Sequence, residues 1–323
     1  MSPKLLHDFG QNNNEEPENP DVKTSLPNLF NLRKVGNDYC SDPDQVVGIF
    51  SRNRVFGGQT FVQFYLVAKQ LATDQFVKRL DIIFYTPGKA TQPILYRQTL
   101  KALNSQFISM EAVQNGRLIA CGHARLSKLE PFDYIPQMPN DIPHPLDCLP
   151  IKEAQTHAFL DTWTKKWGSS LNTATLENES ELFEIRPVNF ESYCGLNSDF
   201  QKMQAWLRLA PHLQDIELKD PMFVPLTVCD YLACQPSITA LDQRHIHFTS
   251  GASLTHKVCI HRTKGFNPKG YFLVENILET LSSGLTGLYN GRVFDESGQC
   301  ILNFSQMNFN QVQFDSKGLK PKI

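Results

Sequence analysis

The sequence predicts an α+β fold of two similar units, each an antiparallel sheet wrapped around one apolar helix. Three observations predict it. The chain has 323 residues, enough for about two domains at roughly 150 residues each. One apolar helical stretch followed by a run of short strands occurs twice along it. Between the two occurrences lies a segment with six prolines (Pro131, Pro136, Pro139, Pro143, Pro145 and Pro150), a composition that interrupts regular structure.

Taken in order, residues 1–26 are rich in Asn, Glu, Pro and Asp and read as a disordered tail. The first globular unit spans 27–129. Its helix runs from Phe56-Gly57-Gly58-Gln59 to Leu71, and strands follow in KRLDIIFYTPG, ILYRQTLKAL and QFISMEAVQNGRLIACGHARL. Within the last of these, Gln114-Asn115-Gly116 is a hairpin turn, because Asn-Gly accepts the positive φ of a type I′ turn. Residues 130–182 form a Pro-rich linker. A short helix over 152–170 within it places Trp163 and Trp167 on one face at i, i+4. The second unit spans 183–323. It repeats the pattern with the helix PLTVCDYLACQ and the strands LTHKVCIHR, YFLVENILETL and LTGLYNGRVFDESGQCILNFSQMNF, with a hairpin at Asp295-Glu296-Ser297-Gly298.

Composition excludes several classes of function. With 33 acidic and 31 basic residues the net charge is −2, which gives no overall basic field for nucleic acid or an anionic membrane. No apolar run approaches the about 18 residues that a membrane span needs. The N-terminal stretch lacks the apolar core of a secretory signal. Eight cysteines without a CxxC pair predict an intracellular chain with reduced thiols. The Asn178-Glu179-Ser180 sequon is then unused. His245, His247, His256 and His261 lack carboxylate or cysteine partners at metal-site spacing, so neither a metal nor a cofactor is expected. No GxSxG elbow is present.

Two groups of residues could carry chemistry. Arg54-Val55-Phe56-Gly57-Gly58-Gln59 opens a helix, where unpaired N–H groups and a partial positive charge suit an anion or a polarised carbonyl. The ordinary alternative is a Gly-Gly pair that lets helix and sheet pack closely. The second group is Thr255, His256, His261, Arg262, Thr280 and Gln306. A hydroxyl and an amide facing each other across antiparallel strands can hold a water, the alternative being a solvent-facing Thr280 and a strand-edge Gln306.

These residues carry a resemblance. NRVFGGQ, FYTPGK and AVQNGRLIACGHA in the first half, with SLTHKVCIHR, the strand ending in LET, and NGRVFDESGQCILNFSQ in the second, resemble the type II acyl-CoA thioesterases, the bacterial thioesterase II and peroxisomal acyl-CoA thioesterase group. The resemblance implies a double hot-dog fold and hydrolysis of a fatty acyl-CoA to a fatty acid and coenzyme A. The family's aspartate, hydroxyl and glutamine, which activate the water, fall on Thr255, Thr280 and Gln306. Gly57, Gly58, Gln59, Arg54 and Arg262 fall in the substrate-binding regions, with Arg52, Lys89, Arg117 and Lys264 as further candidates for the phosphates. The partner implied is a fatty acyl-CoA, and the sequence leaves open a homo-oligomer. Peroxisomal members often end in Ser-Lys-Leu. Pro321-Lys322-Ile323 keeps only the central lysine, so peroxisome and cytoplasm both stand.

Thr255-His256 departs from the family's acidic residue followed by His, and a threonine hydroxyl cannot take a proton from water near neutral pH. Three alternatives follow. Another carboxylate supplies the base, Asp81 or Asp230 ahead of Glu279. His256 serves as base. Or the chain is a catalytically impaired double hot-dog protein that binds acyl-CoA or a protein partner. A hydratase reading needs an Asp–His pair on one segment, and the sequence shows none.

Overall fold

A computed structural model of the chain describes residues 31–42, 47–48, 51–72, 74–101, 106–128, 135–151, 182–193, 201–244, 246–282 and 285–314. The expected tail over 1–26, the helix over 152–170, Asn178, His245 and Pro321-Lys322-Ile323 lie outside them.

The first unit comprises β1 (Leu32–Val35), β2 (Asp38–Ser41), β3 (Val47–Gly48), β4 (Ser51–Val55), α1 (Gly57–Leu71), β5 (Phe76–Phe84), β6 (Leu95–Lys101), β7 (Phe107–Gln114) and β8 (Arg117–Ser127). The second comprises β9 (Phe183–Pro187), β10 (Lys202–Leu209), α2 (Phe223–Tyr231), α3 (Gln235–Asp242), β11 (Ile246–Ile260), β12 (Phe272–Leu281), β13 (Thr286–Asp295) and β14 (Cys300–Phe314). One sheet of 12 strands runs β1-β2-β6-β7-β8-β5-β11-β14-β13-β12-β10-β9, and β3 pairs with β4 apart from it. The units join where β5 and β11 pair antiparallel, with Leu80 opposite Val258 and Ile82 opposite His256.

α1 is apolar around most of its circumference. Phe61, Val62, Phe64, Val67 and Ala68 are all fully buried, as expected of a helix enclosed by a sheet and by a second helix. Burying each phenylalanine is worth about 1.5–3 kcal/mol. Lys69 in its last turn suits the negative end of the helix and reaches the buried Asp220 Oδ2 at 2.5 Å. α1 packs against α2, so one core spans both units. The β7–β8 hairpin turns through Asn115 (φ 50°) and Gly116 (φ 76°), the left-handed pair of a type I′ turn.

The helix read from PLTVCDYLACQ is two helices. α2 ends at Tyr231, and Pro236 begins α3, where a missing N–H costs no intrahelical bond. The described part of the Pro-rich segment lies against the outer face of the second unit's sheet. Trp206 Nε1 donates to Pro143 O at 3.0 Å, Arg186 Nη1 to Cys148 O at 2.9 Å and Met138 N to Gly298 O at 2.9 Å. Ile135, Met138 and Ile142 cover Trp206, Leu273 and Phe294.

Candidate functional site

Sheet register decides which side chains meet the helices. Leu278, Tyr289, Gln306, His256 and Ile82 are paired in one row across β12, β13, β14, β11 and β5, and all are buried beneath the helices. The adjacent row is Thr280, Leu288, Met307, Thr255 and Ile83. Successive residues alternate faces, so this row points outward, and Ile83, Met307 and Thr280 are exposed.

This geometry corrects the pairing of Thr280 with Gln306. Simple alternation would put Thr280 on the face of Leu278 and thus beside Gln306. A bulge between Leu278 and Thr280 inserts one residue and reverses the phase, leaving the sheet between the hydroxyl and the amide. Thr255, onto which the resemblance carried the aspartate, is likewise on the outward row. A second bulge, between Ser253 and Thr255, brings Ser253 and His256 onto the inner face together, although they are an odd number of positions apart, with two residues between them.

Four side chains from three elements converge inside. Asp230, in the last turn of α2, presents Oδ1 to Gln306 Nε2 at 2.5 Å, to His256 Nδ1 at 3.3 Å and to Ser253 Oγ at 3.4 Å. Gln306 Nε2 also donates to Ser253 Oγ at 2.8 Å. His256 is fully buried, its ring 4.5 Å from that of Phe61 centre to centre. Asp230 Oδ2 receives no hydrogen bond among the described residues. It faces Gly57, where an added Cβ would stand 2.9 Å from it. Gly57 and Gly58 open α1, and Phe56 supplies no side-chain cap. Their N–H groups have no acceptor within the helix, and the helix end carries about half a positive charge. A carboxylate and a helix N-terminus thus meet at one point.

That point opens into a cleft of about 280 Å³, walled by the start of α1, the Phe84–Gly88 segment after β5, the Asp230–Gln235 bend and the Ser250–Leu254 stretch of β11. Arg54 and Gly57 line it, and the backbone of Arg54 pairs antiparallel with that of the exposed Lys89. Gly58 is buried behind, against Phe56 and Asp230 Cβ. Gln59 is buried in α1, its amide atoms unpartnered among the described residues. Arg262 is elsewhere, donating to Asp295 Oδ2 and Gly265 O. Asp81 lies on the outer face beside Arg79, and Glu279 reaches Asn290 on the exposed surface. Among the named alternative carboxylates, only Asp230 reaches the cleft.

Cys229 Sγ lies 3.4 Å from His256 Nε2, giving the order thiol, imidazole, carboxylate. The thiol is not poised to react. Burial, then the Asp230 charge, push Cys229 well above the ordinary thiol range, and its Sγ donates to Leu226 O. The same two causes push Cys234, on the cleft wall, up to about 12. Both remain protonated near neutral pH, and a thiol is a weak nucleophile. Among the described residues no group of three or more His, Cys, Asp or Glu could hold a metal ion, and no helix is long and apolar enough to cross a membrane.

Sequence reasoning passed over Ser253. Its small hydroxyl carried no signal, because its orientation depends on the β11 bulge. Asp230 stood as one carboxylate among several until the packing of α2 against α1 selected it.

Solved structures share this architecture. The chain is similar to an acyl-CoA thioesterase II, TesB2, from Mycobacterium marinum, at 19% identity over 90% of this chain and 99% of that one, with a TM-score of 0.64. It is similar to the tesB protein of Mycobacterium avium subs paratuberculosis at 16% identity, over 90% and 98% of the two chains, with a TM-score of 0.64. A conserved protein of unknown function with hot dog fold from Alicyclobacillus acidocaldarius matches at 14% identity, over 88% and 97%, also at 0.64. At these identities the likeness shows the fold, an α+β double hot-dog of the thioesterase II type. No protein-family profile matches the chain, and no curated protein does.

Proposed function

We propose that this protein hydrolyses the thioester of an acyl-CoA, with Asp230 as the base that takes the proton from water. One observation carries the reading. The Asp230 carboxylate is clamped through Oδ1 by Gln306, Ser253 and His256, while Oδ2 faces the cleft beside the N-terminus of α1. A thioester carbonyl seated on the Gly57 and Gly58 N–H groups would be polarised as its oxygen gains charge. A water on Oδ2 would then stand against the carbonyl carbon. Asp230 accepts the water proton as the C–O bond forms, the tetrahedral intermediate collapses with cleavage of the C–S bond, and the proton held by Asp230 passes to the departing sulfur, so that coenzyme A leaves as the thiol. Gln306, Ser253 and His256 position the base without touching substrate. Arg54 on the cleft wall and the exposed Lys89 paired beside it suit the phosphates of coenzyme A.

The test is thiol release from a panel of acyl-CoAs by wild type beside Asp230→Asn. A positioned general base contributes about 10²–10⁴-fold, and a loss of that size in a folded variant is expected. Equal rates would remove Asp230 from the mechanism. The second reading that the sequence kept open is a non-hydrolytic acyl-CoA binder. Saturable binding without thiol release in the wild type would select it.

A further inference from the structure

The proposed chemistry uses neither the FYTPGK motif nor the glutamine of Gln114-Asn115-Gly116. In the structure the two meet. Gln114 ends β7 and is 6% exposed. Its Oε1 accepts from Lys89 N at 2.8 Å, and its Nε2 donates to Lys89 O at 2.9 Å and to Gln92 O at 2.8 Å. Both amide hydrogens and the carbonyl oxygen are spent on one turn of main chain. Asn115 Nδ2 adds a bond to Gln92 Oε1 at 2.8 Å. The hairpin itself needs only its Asn-Gly pair. Gln114 instead grips backbone that lies 25 positions earlier in the chain.

The gripped turn is one wall of the cleft. Thr86, Pro87 and Gly88 line it, with Val55 and Ile119 beside them. Gly88 lies so close to both that an added Cβ would stand 3.2 Å from Ile119 Cδ1 and 3.3 Å from Val55 Cγ2. Val55 N donates to Gly88 O at 2.9 Å, and Tyr85 N to Ile119 O at 2.9 Å. Those bonds fasten the start of the turn. Its far side, at Lys89 and Gln92, is fastened by Gln114, and Lys89 pairs there with the backbone of Arg54. Gln114 is not among the residues that line the cleft. Losing its amide would leave polar main-chain groups of the turn without partners and let the wall move away from Arg54. Asp230 and Gly57, held by α1, α2, β11 and β14, would keep their places.

We infer that Gln114 is a positioning residue for substrate binding, which fixes the Thr86–Lys89 wall and Arg54 against the coenzyme A part of an acyl-CoA. This rests on the thioesterase reading for the identity of the ligand. It deepens that reading by naming a residue that sets affinity and leaves the chemical step alone.

The experiment compares wild type, Gln114→Met and Gln114→Glu in the full chain. The probes are calorimetric titration with octyl-CoA, a non-hydrolysable thioether, and thiol release from octanoyl-CoA. Methionine keeps the length and loses the hydrogen bonds. Glutamate keeps an acceptor for Lys89 N but turns its second oxygen on two carbonyls. Each variant should bind octyl-CoA about tenfold more weakly, and KM should rise in step while kcat stays within about threefold. A merely structural role predicts the reverse, a smaller folded fraction and lower apparent kcat at unchanged KM. A folded variant that binds octyl-CoA as wild type does, or no binding by any of the three proteins, overturns the inference. If neither variant folds, amide exchange in wild type decides. Octyl-CoA should slow exchange at Lys89 N at least about threefold, and unchanged exchange overturns the inference. Thiol release separates the two claims. Hydrolysis with unchanged KM in the variants refutes the inference and leaves the thioesterase reading. Weaker octyl-CoA binding in the variants, with no thiol release by wild type, refutes hydrolysis and leaves the inference standing.

Discussion

Replacing Gly57 by alanine tests the site through its tightest contact. The new Cβ would stand 2.9 Å from Asp230 Oδ2 and 3.4 Å from Ser253 Oγ. Ordinary contact begins at about 3.4 Å, so the carboxylate would have to retreat by about 0.5 Å. It has little freedom to do so, because Gln306 holds Oδ1 at 2.5 Å and His256 at 3.3 Å, and both are fully enclosed. Either Asp230 rotates off its partners or the start of α1 tilts away. Both separate the base from the helix N–H groups. A misplacement on the order of 1 Å costs about 10²-fold in rate, which is about 2.7 kcal/mol of transition-state stabilisation. The fold should survive, since alanine is favoured over glycine in a helix by up to about 1 kcal/mol. The assay is kcat/KM for thiol release from an acyl-CoA beside the thermal midpoint. A folded Gly57→Ala protein with wild-type kcat/KM would refute the claim that the reacting atoms sit between Gly57 and Asp230.

Other perturbations bear on placement and stability. Thr255→Asp and Thr280→Ala should each leave thiol release within about threefold of wild type, since rate effects need reach to the reacting atoms. A tenfold gain in the first would contradict its outward register. Glu184 accepts hydrogen bonds from Tyr271, Arg208 and Arg186. Burial resists its ionisation, but these bonds outweigh it and hold the carboxyl below its usual 4.5. Its stabilisation is therefore present above that pH and lost as pH falls through the folded value. Glu184→Gln should be less stable by about 1–3 kcal/mol at neutral pH, with the gap to wild type closing below pH 4.5 in denaturant melts; a pH-independent gap would rule this out. Trp206→Phe removes the bond to Pro143 O and should cost about 1 kcal/mol while speeding proteolysis within 135–151. Unchanged cleavage would mean the strap is held by its other contacts.

Much of the architecture was legible because it rests on local rules. The apolar run from Phe61 to Ala68 has no surface to spare for solvent, so it had to be enclosed. Asn115-Gly116 accepts two left-handed residues and so set a hairpin. The repeated order of helix and strands predicted two units, and Gln306 and His256 were singled out by residue type. What the sequence could not carry is phase. A one-residue bulge leaves no mark in composition, yet the bulge before Thr280 turned that hydroxyl outward, and the one before Thr255 turned Ser253 inward. Nor could it show that α2 ends where α1 begins. Asp230 and Gly57 are far apart in the chain, and only the packing of the two helices beneath one continuous sheet brings a carboxylate and a positive helix end to the same place.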